Sequence, residues 1–112
     1  MREGESQFGQ GVQQALAFID AHLGDRLTLV KIADEVKLSP YHFAHVFKRS
    51  IGVAPHQYVM RRRLERAKQL LTQTNLPIAE IAAELGYANQ SHFSEAFHRD
   101  TSITPLSYRL RR

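Results

Sequence analysis

Residues 27–62 of this 112-residue chain recur, softened, as residues 76–112, and such a duplication constrains the fold more tightly than composition does. Leu27, Ile32, Ala33 and Glu35 fall on Leu76, Ile81, Ala82 and Glu84 at an offset of 49 positions. From His42 onward the offset is 50, so that His42, Phe43, Phe47, Arg49, Pro55, Tyr58, Arg61 and Arg62 fall on His92, Phe93, Phe97, Arg99, Pro105, Tyr108, Arg111 and Arg112. The single inserted residue lies between two helical patterns, where a turn absorbs it. Similarity at a fixed period marks a repeated structural unit. Two copies are too few for a solenoid, so one domain with two equivalent heads is expected.

The spacing of apolar residues predicts helices throughout. Val12, Ala15, Leu16, Ile19 and Leu23 follow the i, i+3, i+4 rule of an amphipathic helix, with Gly24 where it would stop. Thr28 caps a second helix whose inward side is expected to be Leu29, Ile32, Ala33 and Val36. Ser39-Pro40, a cap followed by proline at the first helical position, opens a third helix that ends at Gly52. Pro55 opens a longer helix to about residue 71, with Met60, Leu64, Ala67 and Leu71 along one side. At 1.5 Å per residue it spans roughly 25 Å, enough to space two heads. The pattern then restarts: Pro77 begins a fifth helix that Gly86 ends, Asn89 caps a sixth, and Thr104-Pro105 opens a last one through Tyr108. The expected fold class is all-α with seven helices. Two helix-turn-helix subdomains at 12–53 and 76–112 are joined by a linker helix at 55–72, and residues 1–11, polar and glycine-bearing, read as a flexible segment.

Charge and chemistry narrow the function. Fifteen Lys and Arg against eleven Asp and Glu leave +4, which suits a polyanionic partner. Arg61, Arg62, Arg63, Arg66 and Lys68 cluster mid-chain, and Arg109, Arg111 and Arg112 crowd the end of the second repeat. The absence of cysteine removes disulfides, thiolate zinc sites and cysteine nucleophiles together. No apolar run approaches the ~20 residues that span a bilayer, and the N-terminus lacks the order of a signal peptide, so no membrane partner and a reducing cytosol are expected. His42 and His45 stand on adjacent helical turns, but zinc wants a third and usually a fourth ligand, so no metal is expected. His42 and His92 read instead as packing partners of the phenylalanines. With no nucleophile-base pair or glycine-rich phosphate loop in sight, neither an enzyme nor a cofactor is expected.

Two helices joined by a short turn, the second opening on an N-cap, make a helix-turn-helix unit, and here there are two. If Phe43 and Phe47 face inward, Tyr41, Ala44, His45 and Lys48 point out; if Phe93 and Phe97 face inward, Gln90, Ser91, Ser94, Glu95 and His98 do. A major groove about 12 Å wide accepts such a helix, and these tips suit base edges.

The order IADEVKLSPYHFAHVFKRSIGVAPHQYVMRRRLERAKQLL, followed by IAAELGYANQSHFSEAFHRDTSITPLSYR, resembles the DNA-binding domain of AraC/XylS-type transcription regulators over about residues 12–111. The resemblance implies two recognition helices placed in successive major-groove segments of double-stranded DNA. Carried over by position, Tyr41, Ala44 and His45 would read bases from the first, with Lys48 or Arg49 on phosphate. Gln90, Ser91, Ser94 and Glu95 would read from the second, with His98 or Arg99 near the backbone. Ser39, Asn89, Arg61 and Arg63 complete the expected phosphate contacts. Further partners so implied are RNA polymerase and an upstream effector-binding or dimerisation domain, in a cytoplasmic, nucleoid-associated bacterial regulator.

Three positions are informative. Lys37 aligns with Gly86, where the family usually has glycine; if that turn needs positive φ, a side chain there costs roughly 1 kcal/mol. Ala44 offers only a methyl, for instance to thymine. Glu95 either accepts from a cytosine N4 amine or pairs with Arg99 at i+4 for a few tenths of a kcal/mol. The competing function is a helical protein-interaction module docking on the transcription machinery, which would expose apolar anchors in place of polar tips. Nonspecific architectural DNA binding is a third, which would depend on the arginines and hardly on His45, Gln90 or Glu95.

Overall fold

Among the described residues the chain forms seven helices in order: α1 (Glu3–Ala21), α2 (Leu29–Glu35), α3 (Pro40–Ile51), α4 (Pro55–Gln73), α5 (Ile78–Glu84), α6 (Gln90–Thr101) and α7 (Pro105–Leu110). This computed structural model describes residues 3–112, and side-chain environments from residue 9 onward; no strand occurs among the described residues. The all-α, seven-helix architecture expected from the spacing is therefore present.

The helix starts follow from the caps. The Thr28 hydroxyl accepts from the Lys31 N–H at 3.1 Å, Ser39 Oγ from His42 N–H at 3.2 Å, and Asn89 Oδ1 from His92 N–H at 2.8 Å. Thr104 does the same for Ser107 at 3.0 Å. Each satisfies one of the four N–H groups that a helix start leaves without a partner. α5 begins without a side-chain cap hydrogen bond, behind Pro77.

The N-terminal expectation is corrected from Glu3 on, because α1 begins there rather than at Val12; Met1 and Arg2 of the expected flexible segment lie outside the described residues. Adding turns to a nucleated helix is cheap compared with starting one, and Glu3, Glu5, Gln7 and Gln10 are good helix formers. Gly24 does not close α1 either, since the helix ends at Ala21.

The chain divides into two units: the chain through His22 with Leu27–Met60, and Leu23–Arg26 with Arg61–Arg112. In the first, α1, α2 and α3 pack mutually, and Val12, Ala15, Ile19, Ile32, Ala33, Phe43, Phe47 and Val59 are buried. In the second, Ala67, Leu70, Leu71, Ile81, Ala82, Leu85, Phe93 and Phe97 form one cluster. The linker helix expected at 55–72 thus gives residues to both cores. Its buried line is Val59, Ala67, Leu70 and Leu71, with Met60 and Leu64 only half-buried; the two ends of α4 serve different cores, so one straight stripe does not describe it. Leu29, expected inside, is 39% exposed because it opens α2 at the unit's edge.

Candidate nucleic-acid interface

The duplicated sequence builds the same aromatic support twice. Phe43 and Phe47 lie 5.5 Å apart at 53°, and Phe93 and Phe97 5.8 Å apart at 56°. Tyr58 meets Phe47 edge-on at 5.6 Å, and Tyr108 meets Phe97 edge-on at 5.4 Å. Such tilted and T-shaped pairs gain about 0.5–1.5 kcal/mol beyond their burial. In each unit they fix which face of the second helix turns inward, and therefore which face is offered outward.

The turns repeat as well. Lys37 N–H donates to Asp34 O at 3.1 Å and Leu38 N–H to Ala33 O at 3.1 Å, while Gly86 N–H donates to Ala83 O at 3.1 Å and Tyr87 N–H to Ala82 O at 3.0 Å. This pair of bonds is the Schellman ending, which needs a left-handed residue. Gly86 supplies it at φ 82°, and Lys37 adopts it at φ 59° despite its side chain. The far ends of the two helices exchange roles: Gly52 is left-handed after α3 at φ 94°, and Ser102 after α6 at φ 67°. Each unit therefore holds one glycine and one strained non-glycine at equivalent places. Lys37→Gly should stabilise the protein by about 0.5–1 kcal/mol, the left-handed penalty of a side chain less the extra chain entropy that glycine loses on folding. A urea-unfolding midpoint that stays put or falls would refute the strain at this turn.

On α3, Tyr41 is 85% exposed, and His45, Lys48 and Arg49 are exposed with it. Tyr41, His42 and His45 line one shallow depression, and His45, Lys48 and Arg49 another, so the expected readers and phosphate contacts are neighbours. On α6, Gln90, Ser91, Glu95, His98 and Arg99 are exposed. Ala44 and Ser94 hold equivalent positions and are only half-buried. Ala44 lines an apolar groove of about 350 Å³ with Leu27, Leu29, Ile32, Pro55 and Val59, which leaves it at the rim of the outward face. His42 and His92, expected to pack beside the phenylalanines, are instead exposed, because the ring stacks already fill that side of each helix.

The cations fall into two groups. Lys48 and Arg49 lie in the last turn of α3, and His98 and Arg99 in that of α6, where positive charge also complements the helix dipole. Arg61 is exposed, with no hydrogen bond or ion pair among the described residues. Arg62 pairs with Glu65, and Arg66 donates to Gln69 at 3.4 Å. Arg63, expected on phosphate, is corrected: its Nε donates to Leu23 O at 2.9 Å and its Nη2 to Asp25 O at 2.9 Å. Burial pushes its guanidinium below the ordinary arginine value, with Tyr87 acting in the opposite sense. Burial likewise pushes the Tyr87 phenol up, against Arg63. Arg109 and Arg112, which composition alone grouped with the surface cations, also hold carbonyls of their own unit: Arg109 Nε donates to Leu71 O at 3.0 Å, and Arg112 Nη1 to Thr74 O at 2.7 Å. They cap the open carbonyls at the end of α4. Sequence reading missed this role because the carbonyl partners lie 38 positions away.

Ser39 and Asn89 use their side-chain oxygens as caps, so only the Ser39 hydroxyl proton and the Asn89 amide protons remain for an anion. Among the described residues, no group of three or more His, Asp or Glu is placed to hold a metal ion, and no helix is long and apolar enough to cross a membrane.

Two helix pairs, each with a Schellman turn and a polar outward helix on an aromatic base, define a double helix-turn-helix domain. The family described as a helix-turn-helix domain matches residues 32–111. The chain is 40% identical over 98 residues to the regulatory protein PocR of Salmonella typhimurium, which covers 88% of this chain and 32% of that protein. Among solved structures it resembles the C-terminal domain of AraT, a response regulator from Geobacillus stearothermophilus, with a TM-score of 0.85 and 34% identity over 91% of this chain and 85% of that one. It also resembles a transcriptional regulator of the AraC-type DNA-binding-domain class from Chromobacterium violaceum, with a TM-score of 0.84 and 30% identity over 92% of each. The chain belongs to the AraC-type helix-turn-helix family. It spans about a third of the length of the curated relatives it matches.

Proposed function

We infer that this domain binds double-stranded DNA sequence-specifically as part of a transcription regulator, acting without catalysis. The observation that carries the reading is the pair of exposed, polar faces on α3 and α6, each held outward by a buried phenylalanine pair. Base edges in the major groove present donors, acceptors and the thymine methyl. Tyr41, His45, Gln90, Ser91 and Glu95 carry matching groups at helical spacing, with Ala44 and Ser94 as rim contacts. Lys48, Arg49, His98, Arg99 and Arg61 contact phosphate, joined by the helix starts at Ser39 and Asn89; Arg63 leaves that set because its guanidinium holds carbonyls. Phosphate contacts position the protein, and base contacts specify the site.

In this reading the two helices enter successive major-groove segments, and because their outward residues differ, the site is asymmetric. An upstream effector-binding or dimerisation domain and RNA polymerase are the further partners proposed for the whole regulator, in a bacterial cytoplasm at the nucleoid. Selection of bound duplexes from a random pool tests this. The expected result is two unlike blocks of enriched bases about 10 bp apart. His45→Ala should relax one block and Gln90→Ala the other, each by about 1–3 kcal/mol of base discrimination. A pool that emerges unenriched, or variants that weaken all sequences equally, would reduce the domain to a nonspecific binder.

A further inference from the structure

We propose that Glu95 selects cytosine at one position of the bound site, by accepting a hydrogen bond from the N4 amine. The inference rests on the base-reading role of α6 and names a contact in which a negative side chain gains on a polyanion.

The carboxylate is free of the roles that would otherwise explain it. It is exposed, and among the described residues it makes neither a hydrogen bond nor an ion pair. The i+4 partner that could neutralise it, Arg99, directs its Nε toward Asp100 at 3.9 Å. Nor does the helix dipole hold it, because α6 has no acidic residue in its first turn and Glu95 is its sixth residue, beyond the reach of that effect. It sits on the face with exposed Ser91 and half-buried Ser94, at the position that His45 occupies in the first unit.

An unpaired carboxylate on such a face repels phosphate in every complex. The repulsion is offset only where the oxygen meets a donor, and the major groove has two: adenine N6 and cytosine N4. On adenine the amine lies beside the N7 acceptor, which opposes a second carboxylate oxygen. Cytosine's own edge carries the amine and no acceptor, so it is the favoured base.

The test uses the full 112-residue chain and selection from a random duplex pool, with Glu95→Gln and Glu95→Ala run beside the parent. The parent should enrich cytosine at one position, with a loss of about fivefold or more in relative affinity when that base pair is changed. Glu95→Gln should move that position toward adenine, since an amide both donates to N7 and accepts from N6; Glu95→Ala should level it. All other enriched positions should stay as they were, and the melting temperature of Glu95→Ala should match the parent's, because no partner is lost. If the parent enriches a motif that Glu95→Ala leaves intact, or if Glu95→Ala tightens all sequences equally, the cytosine contact is wrong while base reading by α6 stands. If the parent enriches nothing, base reading itself fails and takes this contact with it.

Discussion

Phe97→Ala should destabilise the protein by about 3–5 kcal/mol, the usual cost of truncating a buried phenylalanine. The ring is 1% exposed, stands 5.8 Å from Phe93 and 5.4 Å from Tyr108, and belongs to the cluster that joins α4, α5 and α6. Removing it takes away transfer energy, leaves a cavity and breaks two aromatic contacts at once. A small domain has only about 5–15 kcal/mol in all, so this one change consumes a large share. The duplication supplies an internal comparison: Phe47→Ala, at the equivalent place on α3, should behave alike, since Phe47 is 0% exposed and meets Phe43 and Tyr58 in the same geometry. Denaturant unfolding measures both. A loss under about 1 kcal/mol at either position would show that the aromatic base is not what holds that helix.

Gly24→Ala should cost about 1–3 kcal/mol, by crowding against backbone rather than by a strained φ. A Cβ on Gly24 would stand 2.2 Å from Glu84 O and 3.3 Å from Glu84 C. Both are backbone atoms at the end of α5, so nothing flexible can swing aside. The same approach is seen from the other side, where a Cβ on Gly86 would stand 2.9 Å from Gly24 O. Gly24 has no positive φ to explain it, unlike Gly52 and Gly86. Gly52→Ala, which meets nothing within 4 Å, should cost about 1 kcal/mol through φ alone. Comparing the two unfolding free energies separates crowding from strain, and equal losses would remove the close approach from the account.

Much of the architecture was legible because the signals were local. The caps at Thr28, Ser39, Asn89 and Thr104, the left-handed end at Gly52, and the inward Phe43, Phe47, Phe93 and Phe97 each follow from residues within one or two turns. The outward faces followed by subtraction, which is why Tyr41, His45, Gln90, Ser91 and Glu95 stand exposed as expected. Ala44 and Ser94 were less legible, because a position beside the buried stripe is settled by how closely the neighbouring helix approaches.

What the amino-acid order determined by itself was the number of helices, the starts of those that carry side-chain caps, and the two polar faces, since backbone capping and apolar periodicity act over a few residues. Tertiary structure alone decided which arginines are available. Arg63, Arg109 and Arg112 look in sequence like Arg61, yet they reach carbonyls 38 to 41 positions away. It also decided that Gly24 makes room for α5 instead of ending α1. Both are long-range demands, arising where a helix end meets a distant segment and its carbonyls need a donor or its backbone needs space, and no pattern of neighbouring residues carries that information.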